Sequence, residues 1–177
     1  MEQEWMPFII SIKTALTATM ITFFLGIFAA NKINKINPKH KGILDSLFTL
    51  PMVLPPTVIG FFLLVILGRN GFIGKLLYSI GINVIFSWGA TVIAAVVVSF
   101  PLMYSTAKGA FEQIDKNILN AAQTMGVSNF KIFWKIMIPL AWPGIAAGTI
   151  LSFARALGEF GATLMIAGNI PGKTQTI

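Results

Sequence analysis

The chain has 177 residues, of which 55% are hydrophobic and 11% are charged, and its formal net charge is +7. A soluble domain carries roughly a quarter charged residues, so this composition argues against a soluble enzyme. The many apolar residues also argue against a disordered chain. The chain has no cysteine and one histidine, His40, which excludes disulfides, thiolate metal sites and histidine metal clusters. We expect a protein of the lipid bilayer that holds no metal and no cofactor.

Stretches without charged residues predict the membrane-spanning segments. A helix needs about 20 mostly apolar residues to cross the hydrocarbon core of a bilayer. The uncharged stretches predict spans at about 8–30, 46–67, 87–106 and 140–165. Several glycines interrupt the long uncharged stretch before the third span, so we predict that residues 70–86 are a short irregular or interfacial segment. The expected fold is an all-helical, polytopic membrane domain that comprises residues 1–177.

The second predicted span contains Pro51, Pro55 and Pro56. Proline removes a backbone donor and clashes with the preceding turn of a helix. Inside a bilayer such a break is tolerated where protein or a water-lined cavity satisfies the freed carbonyl groups. We therefore predict a bend at Pro55, Pro56 and Thr57 that faces other protein, with Thr57 as a local hydrogen-bond partner. A kink that has no role in transport is an equal alternative.

Lysines are concentrated in two of the loops between the predicted spans. Cytoplasmic loops of membrane proteins have an excess of lysine and arginine. The loop 31–45 holds Lys32, Lys35, Lys39 and Lys41, and the loop 107–138 holds Lys108, Lys116, Lys131 and Lys135. We predict that both loops are cytoplasmic and that the amino terminus lies outside the cell. This topology accounts for the positive net charge, so we expect no nucleic-acid partner.

The long loop 107–139 has the pattern of two short helices that meet at a glycine. Apolar residues at helical spacing predict a first helix, and Gly126 stands where a glycine ends a helix. Ser128 can cap a second helix. The apolar face of that helix, which could lie at the lipid headgroups, consists of Phe130, Phe133, Trp134 and Met137. We predict that Pro139 ends this helix and that the two helices together form a docking element.

The fourth predicted span begins with two glycines four residues apart, Gly144 and Gly148. Small residues at this spacing allow another helix to approach closely within a membrane. We therefore predict that a neighbouring helix packs against this part of the span.

The loop 107–139 resembles the cytoplasmic signature of ABC importer permeases. That signature reads E-A-A, three residues, G, nine residues, I-x-L-P. This chain has Asn120-Ala121-Ala122, then Gly126, then Ile136-x-Ile138-Pro139 at the same spacing. Two positions depart from the signature, because Asn120 replaces the glutamate and Ile138 replaces the leucine. The resemblance implies that Asn120, Ala121, Ala122, Gly126, Ile136, Ile138 and Pro139 couple the permease to an ATPase.

Further stretches resemble the molybdate permease (ModB) subgroup of that family. They are Leu50 to Gly60, Phe153 to Met165 and Ala167 to Thr176, and the resemblance covers nearly the whole chain. It implies the type I ABC importer permease fold and a homodimer around a central path. It also implies two cytoplasmic ABC ATPase subunits docked on 107–139, and an extracytoplasmic molybdate-binding protein. Members of the subgroup have a further carboxyl-terminal helix, so we expect at least one span beyond residue 177.

Arg155 and Glu159 are four residues apart on one face of the fourth predicted span. Charged residues within a membrane span are costly, and they usually pair or face a polar cavity. One interpretation is that Arg155 lines the oxyanion path and Glu159 holds it. The other, which we favour, is a structural ion pair that locks the span to its neighbour, because an attractive partner lies at i+4.

The segment Gly168 to Thr174 is similar to a phosphate-binding loop. That motif needs four residues between its glycines and a preceding strand, whereas this chain has three residues between them and no predicted strand. We predict instead an outer loop near the binding-protein dock or the outer gate. The chain is therefore expected to have no ATPase site, and the energy for uphill transport must come from a separate subunit.

Other functions remain as alternatives. The nearest is import of sulfate or tungstate by the same kind of permease, since no residue separates tetrahedral oxyanions by size. A different class is a secondary transporter or channel that needs no ATPase, against which the docking loop argues. A membrane-embedded enzyme would need clustered ionisable residues within the membrane, and only Arg155 and Glu159 are available there.

Overall fold

The computed structural model describes residues 2–34 and 36–176, and the described part of the chain is helical, without strands. Two residues outside this range are Lys35, which is one of the lysines from which the topology is predicted, and Ile177 at the end of the sequence. The helices are α1 (Glu2–Ile33), α2 (Pro38–Val53), α3 (Pro56–Leu67), α4 (Phe72–Ser79), α5 (Trp88–Glu112), α6 (Lys116–Thr124), α7 (Asn129–Ile132), α8 (Ile138–Leu157) and α9 (Gly161–Ala167), with one turn of π-helix at Phe133–Met137.

Helix α5 lies at the centre of the fold. It packs against α1, α2, α8 and α9, and a row of small residues on it is completely buried, including Ala90, Ala94 and Ala95. Small side chains allow close helix packing in a membrane, where lipid competes equally well for large apolar groups. By length and composition, Trp5–Ile33, Trp88–Glu112 and Asn129–Leu157 can each cross a membrane.

The glycine pair of the fourth predicted span packs against α5. A Cβ atom on Gly144 would lie 2.6 Å from the Cβ atom of Ala110, and one on Gly148 would overlap the hydroxyl of Thr106. The neighbouring helix predicted from the spacing of these glycines is thus α5 of the same chain.

The second predicted span is two helices, α2 and α3, whose axes differ by 113°. The break lies at Leu54 and Pro55, where the backbone is extended, and Pro56 begins α3. Pro55 offers its carbonyl to the amides of Val58 and Ile59. The bend therefore lies where the prolines predict it, but it is much sharper than a kink within one continuous span. Thr57 lies in the first turn of α3, is exposed and makes no side-chain hydrogen bond within the described part of the chain, so its role as a local partner stays a prediction.

The helix in the region of the fourth predicted span differs from the prediction at both ends. Pro139 does not end a helix, because α7, the π turn and α8 form one continuous helix through it. In the π turn the amide of Ile138 donates to the carbonyl of Phe133, and this wider turn accommodates a proline that would otherwise clash with the preceding turn. At the other end the helix stops at Leu157, and α9 begins at Gly161.

Residues 70–86 form a short helix, α4, followed by a loop that leads into α5. Most of this segment is exposed, as an interfacial segment would be, and its side chains include Phe72 and Leu76. The loop ends at Phe86, whose amide donates to the carbonyl of Ile166 at 3.2 Å. This hydrogen bond attaches the loop before α5 to α9.

Candidate functional site

The two lysine-rich loops meet at one end of the helix assembly. Lys41 Nζ lies 2.7 Å from Glu112 Oε1, which joins the start of α2 to the end of α5. One core cluster also connects Ile33, at the end of α1, with Phe111, Ile114 and residues of the long loop. The geometry therefore places both lysine-rich loops at the same face, as the predicted topology requires.

Helix α6 is short and has a defined cap at each end. The Asp115 carboxylate accepts from the amide of Asn117 at 2.8 Å, and so caps the amino terminus. At the other end Gly126 has φ = +77°, and the amide of Val127 donates to the carbonyl of Ala122. This is the arrangement in which a glycine in the left-handed region closes a helix. The predicted cap at Gly126 is thus present.

The residues of the signature loop face in different directions. Asn120, Ala121 and Gly126 are exposed, and Met125 beside them is 82% exposed. We call these four residues the docking surface. Ala122 instead is buried against the core cluster of α1, α5 and α8. Only one of the two alanines is therefore available to a partner, and the other attaches α6 to the rest of the chain.

The second part of the signature lies on the continuous helix. Ile136 and Ile138 are half-buried against the same core cluster, and Pro139 is exposed. The predicted aromatic face is divided rather than uniform. Phe133 and Met137, four residues apart, are buried, whereas Phe130 and Trp134, also four residues apart, are exposed. This segment therefore does not lie flat on the headgroups with all four side chains.

Arg155 and Glu159 form an ion pair across the end of α8. Arg155 Nη1 lies 2.7 Å from Glu159 Oε2, and the glutamate side chain is 1% exposed whereas the arginine side chain is 32% exposed. Glu159 Oε1 accepts from the amide of Ala162 at 2.7 Å. The glutamate thus serves two structural purposes, because it pairs with Arg155 and also caps the first turn of α9.

A polar network that local sequence patterns do not predict connects α2 and α5. Asp45 accepts from the hydroxyl of Tyr104 and lies 2.5 Å from Lys108 Nζ. Glu112 is 2.7 Å from Lys41 and 3.9 Å from Lys108. We call these five residues the Asp45 network. The spacing of Lys108 and Glu112 at i and i+4 is a local signal, but the contact with Asp45 depends on how the helices pack.

The segment from Gly168 to Thr174 is a closed turn rather than an open phosphate cradle. The Thr174 hydroxyl is buried, accepts from the amide of Ile170 and donates to the carbonyl of Ala167. In a phosphate-binding loop this hydroxyl would bind Mg²⁺. The turn also follows a helix, α9, and not a strand. The geometry therefore does not fit a nucleotide site.

Comparison with known proteins identifies the family. Residues 22–177 match the model of the family described as "Binding-protein-dependent transport system inner membrane component". The molybdenum transport system permease protein ModB of Escherichia coli (strain K12) is 45% identical over 177 residues, which are 99% of this chain and 77% of the relative. ModB of Haemophilus influenzae is 44% identical over 169 residues, which are 95% of this chain and 74% of the relative.

A third relative has a different substrate in its name. The "Probable sulfate transport system permease protein cysT" of Chlorokybus atmophyticus is 36% identical over 169 residues, which are 96% of this chain and 59% of the relative. Its identity to this chain is lower than that of the two molybdenum permeases. The family match, the apolar helices long enough to cross a membrane and the exposed α6 between two of them agree with one another. This chain is a polytopic, all-helical membrane protein and belongs to the family of binding-protein-dependent transport system inner membrane components.

Proposed function

We propose that this chain is the permease subunit of an ATP-driven importer for molybdate. The observation that carries the proposal is the 44–45% identity to two molybdenum transport permeases over nearly the whole chain. The lower identity to the sulfate relative favours molybdate over sulfate. Import of sulfate or tungstate is the second candidate, because all three anions are tetrahedral and doubly charged.

In this proposal the docking surface binds a cytoplasmic ABC ATPase subunit. Three observations support it: α6 is short, is capped at both ends, and presents Ala121 and Met125 outwards. The chain lies in the inner membrane with its amino terminus outside and the coupling loop 107–139 in the cytoplasm. Two copies form the path, and an extracytoplasmic binding protein delivers the anion to the opposite face. Closure of the ATPase pair then moves α6 and the attached helices as rigid bodies.

Gly126→Asp is expected to abolish uptake while the protein still inserts into the membrane. A Cβ atom at residue 126 would have no atom within 4 Å, and aspartate tolerates the left-handed backbone better than most residues. The variant therefore places a negative charge on the docking surface with little damage to the fold. Uptake of molybdate by cells, together with the amount of permease in purified membranes, measures both parts of this expectation.

Gly126→Asn is the matched control, because asparagine has the shape of aspartate and the same backbone tolerance but no charge. We expect it to retain most of the uptake and to co-purify with the ATPase subunits. A Gly126→Asp variant with normal uptake and normal ATPase co-purification would refute the proposed role of this surface.

Deletion of the full-length gene tests the substrate. We expect cellular molybdenum, measured by mass spectrometry after growth on trace molybdate, to fall sharply, and excess molybdate but not sulfate to restore it. Unchanged molybdenum with a new requirement for reduced sulfur would instead assign the permease to sulfate. Uptake that follows an ion gradient and persists without the partner ATPase would support a secondary transporter.

A further inference from the structure

The Asp45 network attaches α2 to the last turns of α5. Asp45 bonds to Tyr104 and Lys108, which are one helical turn apart on α5. The side chains of Asp45 and Lys108 are only 24% and 18% exposed. Attraction between charges is stronger in such a half-buried place than at a fully hydrated surface, where ion pairs contribute little.

A second, more exposed ion pair supports the same attachment. Lys41 is one turn before Asp45 on α2, and Glu112 is one turn after Lys108 on α5. Two basic and two acidic side chains thus alternate between the helices, and their formal charges cancel. These polar contacts act in addition to apolar packing, and they hold one end of α2 at a defined position along α5.

The network lies between the docking surface and the sharp bend. Helix α6 begins four residues after the end of α5, and Ala122 on α6 lies in the same core cluster as Phe111 on α5, so the carboxyl end of α5 is directly connected to the helix that carries the docking surface. In the other direction α2 leads through Leu54 and Pro55 into α3, which packs against α9. A displacement of α6 that moves the end of α5 therefore reaches α2 directly through these side chains.

We propose that Asp45 is a positioning residue for transport, which keeps α2 attached to the carboxyl end of α5 so that movement of the docking surface is passed to the α2–α3 bend. This inference rests on the proposed function. Asp45 need not touch the transported anion. Without the charge of Asp45, Lys108 has no acidic partner on α2, and α2 no longer follows α5 when α6 moves. ATP hydrolysis would then be uncoupled from anion movement, so that fewer anions are moved for each ATP hydrolysed.

The test uses the full-length permease with its ATPase subunits and binding protein, reconstituted into liposomes. The measured quantity is the number of anions taken up per ATP hydrolysed, with molybdate, tungstate and sulfate tested in parallel. We expect Asp45→Asn and Lys108→Gln each to lower this ratio about tenfold, within the usual range of coupling between sites. The double variant should lower it no further, because both changes remove the same contact.

Two further variants complete the design. Lys39→Gln is the matched control, since Lys39 lies on the same helix and is exposed outside the network, and its ratio should equal that of the wild type. Tyr104→Phe removes only one hydroxyl group and should lower the ratio by a smaller factor. If Asp45→Asn does not accumulate in membranes, Tyr104→Phe decides the question alone.

The outcomes separate the two proposals. If Asp45→Asn takes up as many anions per ATP as the wild type, the role of Asp45 is overturned while the permease function stands. If Asp45→Asn does not accumulate, the same result in Tyr104→Phe has the same consequence. Uptake and hydrolysis that fall in equal proportion also overturn it, because they indicate a structural role only. If the wild-type complex moves none of the three anions with ATP, the proposed function and the inference both fail.

Discussion

Gly60→Leu is expected to eliminate almost all folded protein from the membrane. A Cβ atom at residue 60 would lie 2.7 Å from the Cβ atom of Met165 and 2.8 Å from the Cα and carbonyl oxygen atoms of Ala162. Two of these atoms belong to the backbone of α9, so a change of rotamer cannot relieve the clash. Overpacking of a core costs about 1–3 kcal/mol when side chains can adjust, and here a whole helix would have to move.

The crossing of α3 and α9 is close at a second point. A Cβ atom on Gly161 would lie 2.9 Å from the Cβ atom of Pro56. Displacing α9 would also break the amide contact between Phe86 and Ile166. A side chain at residue 60 is therefore expected to disturb contacts beyond its immediate neighbours.

The measurement is the amount of monodisperse permease extracted in mild detergent and the temperature at which it aggregates. Gly60→Ala should show an intermediate loss. Gly42→Ala is the matched control, because Gly42 is in the interior of α2 and has no atom within 4 Å of the added Cβ. Alanine favours a helix over glycine by about 1 kcal/mol, so that control should be unchanged or slightly more stable. Wild-type yield of Gly60→Leu would contradict the close crossing.

Glu159→Ala is expected to lower the free energy of unfolding by about 3 kcal/mol. Removal of one partner from a buried ion pair costs about 3–5 kcal/mol, and the lower end applies because Arg155 is a third exposed. The variant also removes the cap on the amide of Ala162. Glu159→Gln retains an acceptor for that amide and should therefore lose less. Thermal inactivation of the purified complex measures both variants.

A double-mutant cycle with Arg155→Gln separates the two interpretations of this pair. We expect the structural one: Arg155→Gln should lower thermal stability at least as much as Glu159→Gln, because it leaves the more deeply buried charge unpaired, and the double variant should add little. The apparent KM for the anion should stay constant in the protein that remains folded. An increased KM at unchanged stability in Arg155→Gln would instead show that Arg155 lines the oxyanion path. Lys75→Gln, on exposed α4, is the control for loss of a positive charge.

Local patterns predicted much of the architecture. Uncharged stretches locate three helices that can span a membrane, because burial in lipid excludes charge along the whole element. The position of Gly126 predicts a helix end, since a left-handed residue is a local requirement of that cap. The spacing of Gly144 and Gly148 predicts a close helix contact, and the spacing from Asn120 to Pro139 indicates the family. Each of these signals lies within a single short segment, so it can be identified without knowledge of the rest of the fold.

Other features depend on contacts between distant segments, and local patterns could not reveal them. Prolines predict a break near Pro55, but the angle of 113° between α2 and α3 depends on the packing of α3 against α9. A proline normally interrupts a helix, yet a π turn carries the helix past Pro139. Both alanines of the signature have the same local context, and only packing against α1 and α5 buries Ala122.

Hydropathy and a signature at fixed spacing are properties of single segments, and they are therefore enough to predict an all-helical membrane protein of this permease family. Which residues from different helices come into contact is visible only in the folded structure. It brought Asp45 to Lys108 across 63 positions, assigned Glu159 both to Arg155 and to the first turn of α9, and placed Gly60 against α9. Such contacts depend on the relative positions of several helices, and the sequence of any one helix does not predict where the others lie.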